Sequence, residues 1–145
     1  ADAEDGFGDT FARALPAFDT SFDSKVEGPV RVLVVDDTED IRMLIKVMLA
    51  NDPRIDVVAE AGDGLEAIEQ LQGVEVDAVL LDLMMPRMDG LTALPRLREL
   101  SPEARIVVFS AADHREGDAV RAGADAFVVK SATHDAIIEA LLGSS

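Results

Sequence analysis

Two apolar runs in this sequence end abruptly on acids. "VRVLVV", residues 30–35, leads straight into Asp36 and Asp37, and "AVLL", residues 78–81, leads into Asp82 and then a loop rich in methionine with a proline and a glycine, "LMMPRMDG". Two further apolar runs end on Ser110 and on Lys130. A buried strand with its polar residue only at the exit places that residue on the rim of a sheet. In a parallel sheet all such exits share one edge, where ligands bind. Three carboxylates gathered there repel one another and need protons or cations beside them. Lys130 supplies one charge. A hard divalent ion such as Mg²⁺, which takes carboxylate, carbonyl and water oxygens, would supply the rest, with Asp36, Asp37 and Asp82 as ligands and the Met84 backbone carbonyl as a further donor. A carboxylate in that setting can accept a phosphoryl group, because metal, ammonium and hydroxyl meet the charge on the transferring oxygens. Asp82 is the candidate nucleophile. Lys130 would pair with the phosphoryl oxygens, and Ser110 would donate to one of them. The added charge makes the product a switch.

The elements that must position these residues alternate along the chain. Strands are expected over 30–35, 55–60, 78–81, 105–109 and 126–129, and helices over 38–50, 64–71, 91–100, 113–121 and 133–142. Thr38, Asp63 and Thr133 stand at helix starts as residues able to cap free N–H groups. Five strands alternating with five helices predict an α/β fold with a doubly wound parallel sheet. Residues 1–29 are acidic, contain Gly6, Gly8, Pro16 and Pro29 and sustain no period, so they read as an extension or linker, and the domain proper is expected over 30–145.

Composition narrows the classes of partner. The chain of 145 residues suits one domain with an appendage, and its net charge of −16 opposes binding to phosphate backbones or anionic membranes. Direct partners are therefore expected to be proteins rather than nucleic acid or membrane. The absence of cysteine excludes disulfides and thiolate metal sites. No apolar run approaches the roughly 20 residues needed to span a bilayer, so the chain reads as soluble and cytoplasmic.

The segments "VVDD" (34–37), "LLDLMMPRMDG" (80–90), "VVFSAA" (107–112) and "AGADAFVVK" (122–130) together resemble the receiver domain of two-component response regulators, over about residues 30–142. The resemblance implies a flavodoxin-like (β/α)5 fold with strand order 2-1-3-4-5. It also implies Mg²⁺-dependent phosphorylation of Asp82 by a histidine kinase or histidine phosphotransfer protein. A downstream protein partner would respond to the altered surface, and phosphorylation-dependent dimerisation is a further mode left open. Ser110 and Phe127 match the family's hydroxyl and aromatic switch positions. The residue after Lys130, often proline in the family, is Ser131 here. Nothing in the motifs implies turnover of an external substrate: the chain would catalyse only its own phosphorylation and dephosphorylation. Two further readings are the C-terminal receiver of a hybrid sensor histidine kinase and a receiver used as a docking module.

Other classes fit less well. A flavin-binding flavodoxin needs a first loop that cradles phosphate, whereas "DDTED" would repel it. A haloacid-dehalogenase phosphatase needs a second acid two residues past its nucleophile, where this chain has Met84. Asp89 and Gly90 read as turn residues, the glycine supplying positive φ. Met84, Met85 and Met88 read as loop packing, and His114 and His134 lie at helix starts away from the acids. Side chains two past Asp82 and two past Ser110, Met84 and Ala112, offer a hydrolytic water no strong hydrogen bond. In the extension, Phe7, Phe11, Leu15, Phe18 and Phe22 fall at helical spacing interrupted by Pro16. They read either as incidental aromatics in an acidic tail or as a segment that docks on an apolar surface, the switch face or a partner protein.

Overall fold

Strands buried on both faces need near-continuous apolar sequence, and the runs identified above form them. In chain order the elements are β1 (Val30–Val35), α1 (Glu39–Ala50), β2 (Ile55–Ala61), α2 (Gly64–Gly73), β3 (Ala78–Asp82), α3 (Gly90–Leu100), β4 (Arg105–Ser110), α4 (Glu116–Ala122), β5 (Ala126–Val129) and α5 (His134–Leu142). This computed structural model describes residues 28–83, 85, 88–111, 115–130 and 132–143. The aromatic stripe of residues 7–22, and Met84, Ala112, His114 and Ser131, lie outside the described residues.

Among the described residues, five strands, all parallel, are ordered β2-β1-β3-β4-β5. This is the 2-1-3-4-5 order implied above. All five residues of the central β3 are buried, Asp82 among them. Alternation of side chains sends Leu33, Val35, Val79, Leu81, Ile106 and Val108 to one face, under α2, α3 and α4. Val32, Val34, Leu80, Val107 and Phe109 go to the other, under α1 and α5. The two helical layers differ in closeness. α2 packs on α3 and α3 on α4, but α1 and α5 do not pack closely on each other.

The amino edge of the sheet is tied by arginines. Arg31 holds Asp77 through its backbone N–H, at 2.9 Å, and its guanidinium. Arg98, near the end of α3, donates to the carbonyls of Pro102, Ala104 and Gly123 and to Asp125 Oδ2 at 2.6 Å, an oxygen that also accepts the Ile106 N–H at 2.8 Å. Arg105 Nε donates to the Ala140 carbonyl in α5. Gly123 and Gly143 close α4 and α5 with φ of 117° and 79°, a left-handed geometry that favours glycine.

Three details differ from expectation. Asp63 and Thr133 accept helix N–H groups as anticipated, but the Thr38 side chain does not. Its own N–H is taken by Asp36 Oδ1, and its hydroxyl turns toward Asp37. The fourth helix starts at Glu116 rather than 113, behind Arg115, whose side chain has no acceptor with which to cap it. Gly90 does not have positive φ: it is the first residue of α3, behind Asp89, whose carboxylate accepts the Thr92 N–H at 2.9 Å. Glycine is required there for closeness instead. A Cβ on Gly90 would collide with the Asp82 carbonyl oxygen and the Leu83 Cα. No helix among the described residues is long and apolar enough to cross a membrane.

Candidate functional site

Because β1 and β3 are neighbours running the same way, the residues at their exits meet. Carboxylate oxygens of Asp36, Asp37 and Asp82 lie within 4.8 Å of one another. Asp36 and Asp82 are 1% and 2% exposed, whereas Asp37 is open to solvent, so the cluster has a buried floor and one accessible wall. Lys130, at the exit of β5, reaches across to place Nζ 3.1 Å from Asp36 Oδ2 and 3.4 Å from Asp82 Oδ2. Its ammonium stands 5.4 Å from the centre of the Phe109 ring, over an electron-rich face. Burial disfavours the charged lysine, but Asp82 and then Asp36 outweigh it and raise its pKa. Lys130 is therefore a fixed positive charge at neutral pH.

Ser110, the last residue of β4, is fully buried, and its carbonyl accepts the Lys130 N–H at 2.9 Å. Its strand lies between the strand that ends on Asp82 and the strand that leads into Lys130. Phe127 does not join the acids. It is half-buried in β5 and packs with the core beneath α2–α4, the sheet face to which alternation also assigns Ser110.

Two contributors were not anticipated. Arg42 Nη1 donates to the Asp36 carbonyl at 2.5 Å while its Nε holds Glu60 at 2.9 Å. Glu60 is held from the other side by Lys46 at 2.5 Å. The turn carrying the acid pair is thus braced from α1 and β2. Gly90 is the second: its N–H binds the Leu83 carbonyl at 2.9 Å and packs the start of α3 against the Asp82 backbone. The only sign of Arg42 in the sequence was a cation following "DDTED".

Among the described residues, three carboxylates beside the Lys130 ammonium leave an excess of negative charge in a largely buried pocket. That donor set, all hard oxygen, fits a metal ion.

Comparison with known proteins shows the family. The model of the response regulator receiver domain matches residues 32–142. The chain belongs to the response regulator receiver family. This receiver is 40% identical over 113 residues to the chemotaxis protein CheY of Bacillus subtilis, an alignment covering 77% of this chain and 93% of that one. It is 39% identical over 115 residues to the nitrate/nitrite response regulator protein NarL of Escherichia coli K12, covering 78% of this chain and 53% of NarL. The receiver thus spans about half the length of that relative. In three dimensions it resembles CheY in a CheX–CheY–BeF3–Mg²⁺ complex from Borrelia burgdorferi, with a TM-score of 0.74 at 27% identity over 84% of this chain and 92% of that one.

Proposed function

We propose that the receiver works by taking a phosphoryl group on Asp82. The observation that carries this reading is the buried Asp82 carboxylate held 3.4 Å from the Lys130 ammonium beside Asp36 and Asp37. In the transfer, a carboxylate oxygen of Asp82 bonds to phosphorus as the P–N bond to a donor imidazole breaks. The electron pair stays on the imidazole nitrogen, which takes a proton. Lys130 stabilises the charge that develops on the transferring oxygens. The Ser110 hydroxyl donates to one of these oxygens, and Phe127, on the same sheet face, follows it inward. Asp36, Asp37 and Asp82 would hold Mg²⁺, with the Met84 carbonyl as a further donor inferred from sequence. When bound, the ion neutralises charge at the site. The CheY of Borrelia, which forms a complex with BeF3 and Mg²⁺, supports this choice of ion.

The donor is a histidine kinase or histidine phosphotransfer protein in the cytoplasm, and the recipient of the signal is a downstream protein. The reading covers residues 30–145, with 1–29 as an appended segment. The relatives matched are response regulators, which does not favour the hybrid-kinase alternative. The receiver acts on its own aspartate and not on external esters.

The test is incubation with acetyl phosphate and Mg²⁺ followed by intact-mass measurement. One phosphoryl mass should appear on the parent, and none on Asp82→Asn or on the parent in excess chelator. Equal labelling of Asp82→Asn would overturn the assignment.

A further inference from the structure

The gap between α1 and α5 is an apolar groove. Its cavity volume of about 620 Å³ is lined by Leu44, Val47 and Met48 from one helix and Ile137 and Ile138 from the other, with Phe109 and Lys130 at its carboxyl-edge end. Leu44 and Val47 are 66% and 61% exposed, whereas the equivalent space on the other face is closed by helix packing. Pockets of about 300–1,000 Å³ bury ligands the size of several rings.

The described chain begins at the foot of this groove. Val30 N–H binds the Arg54 carbonyl at 2.7 Å, just past Asn51 and Asp52, which line the groove's amino-edge end. Residues 1–27 are therefore tethered beside it. Of the six phenylalanines, Phe109 and Phe127 belong to the sheet, and the other four are Phe7, Phe11, Phe18 and Phe22. Phe22 stands six residue steps before Gly28, a reach of about 20 Å at ~3.3–3.6 Å per residue. Helix α1, with 12 residues, is about 18 Å long at ~1.5 Å per residue, so the reach matches the groove. The segment 7–22 carries only Asp9, Asp19 and Arg13 as charges, and the acids of the extension lie mostly outside it. A short tether gives a local concentration on the order of millimolar, so weak apolar docking suffices.

We infer that the α1/α5 groove is the docking site of this chain's own segment 7–22, which seats its phenylalanines between the two helices. The occupant's far end then lies against Phe109 and Lys130, the lysine that pairs with Asp36 and Asp82. The inference does not rest on the phosphoacceptor reading.

The chain has no tryptophan or tyrosine, so Phe22→Trp introduces a single reporter. In the full chain its emission should be shifted to the blue, independently of protein concentration. Leu44→Asp with Val47→Asp should return it to the value in water. Val120→Asp, at an exposed site on α4, should leave it unchanged. The groove substitutions fall on exposed positions, and far-UV circular dichroism checks that the fold is kept. Four outcomes would overturn the inference: water-like emission in Phe22→Trp alone, indifference to the groove variants, loss on Val120→Asp, or a blue shift that grows with concentration. Loss on Val120→Asp would place the segment on the opposite face, and growth with concentration would assign the groove to a second copy.

Discussion

The carbonyl oxygen of Asp82 occupies the space that a β-carbon on Gly90 would need. The start of α3 is thereby pressed onto the backbone of the proposed phosphoacceptor. Alanine in a helix is ordinarily better than glycine by about 1 kcal/mol. Here the sign should reverse. Gly90→Ala should destabilise by about 1–3 kcal/mol, as overpacking does, and should slow labelling of Asp82 by displacing its backbone. Urea unfolding of parent and variant decides it: a variant as stable as the parent would mean that α3 yields freely.

Removing Lys130 should separate two effects of its charge. In Lys130→Met the acids lose their nearby ammonium, so stability in chelator should fall by about 1–3 kcal/mol. This is less than the 3–5 typical of fully buried pairs, because the lysine side chain is 30% exposed. The same loss should make the pocket more attractive to a divalent cation. Thermal midpoints titrated with Mg²⁺ should therefore rise at lower ion concentration in the variant than in the parent. The reverse order would show that the lysine is not within the field of the acids.

Two carboxylates outside the acid cluster contribute to the dependence of stability on pH. At Asp125, burial opposes ionisation, but the Ile106 N–H and Arg98 outweigh it and hold the carboxyl below its usual range. Lys46 and then Arg42 do the same for Glu60. A folded pKa below the unfolded one gives stability that is complete above the unfolded value of about 4 and is lost as pH falls through the folded values. Asp125→Asn should therefore be less stable than the parent at neutral pH, and the difference in urea midpoint should shrink on acidification. With Asp125 38% exposed in its ion pair the effect is modest. A difference that grows toward low pH would contradict the direction.

The lifetime of the phosphoryl group should reflect the residues flanking the path of a hydrolytic water. Met84 and Ala112, assigned there from sequence alone, cannot orient water strongly. Met84→Asn with Ala112→Glu should shorten the half-life of the labelled protein, followed by loss of phosphoryl mass after removal of donor. An unchanged or longer half-life would place control of water elsewhere.

The sheet and its acidic rim were readable because parallel strands buried on both faces write themselves as apolar runs, and a charge at the end of such a run stands out. Asp36, Asp37, Asp82 and Lys130 converge because of strand order alone. The role of Arg42 was hidden, since it depends on Glu60, 18 residues away, and on a backbone carbonyl. Gly90 was misassigned because a glycine chosen for closeness looks like one chosen for φ. Thr38 failed as a cap because Asp36 competes for the same turn. The groove was invisible for another reason: α1 and α5 lie far apart in sequence, and the gap between them is a property of packing.

The arginines Arg31, Arg98 and Arg105 gather at one margin of the sheet, opposite the acids. They stitch strand starts and helix ends into a stiff base, while the other margin is made of turns and helix beginnings. Fluctuations should therefore be graded along the strand axis, cheapest at the rim and dearest at the seam. In the proposed switch, a rim rearranging over a base that holds register would change the surface while the sheet beneath it stays the same.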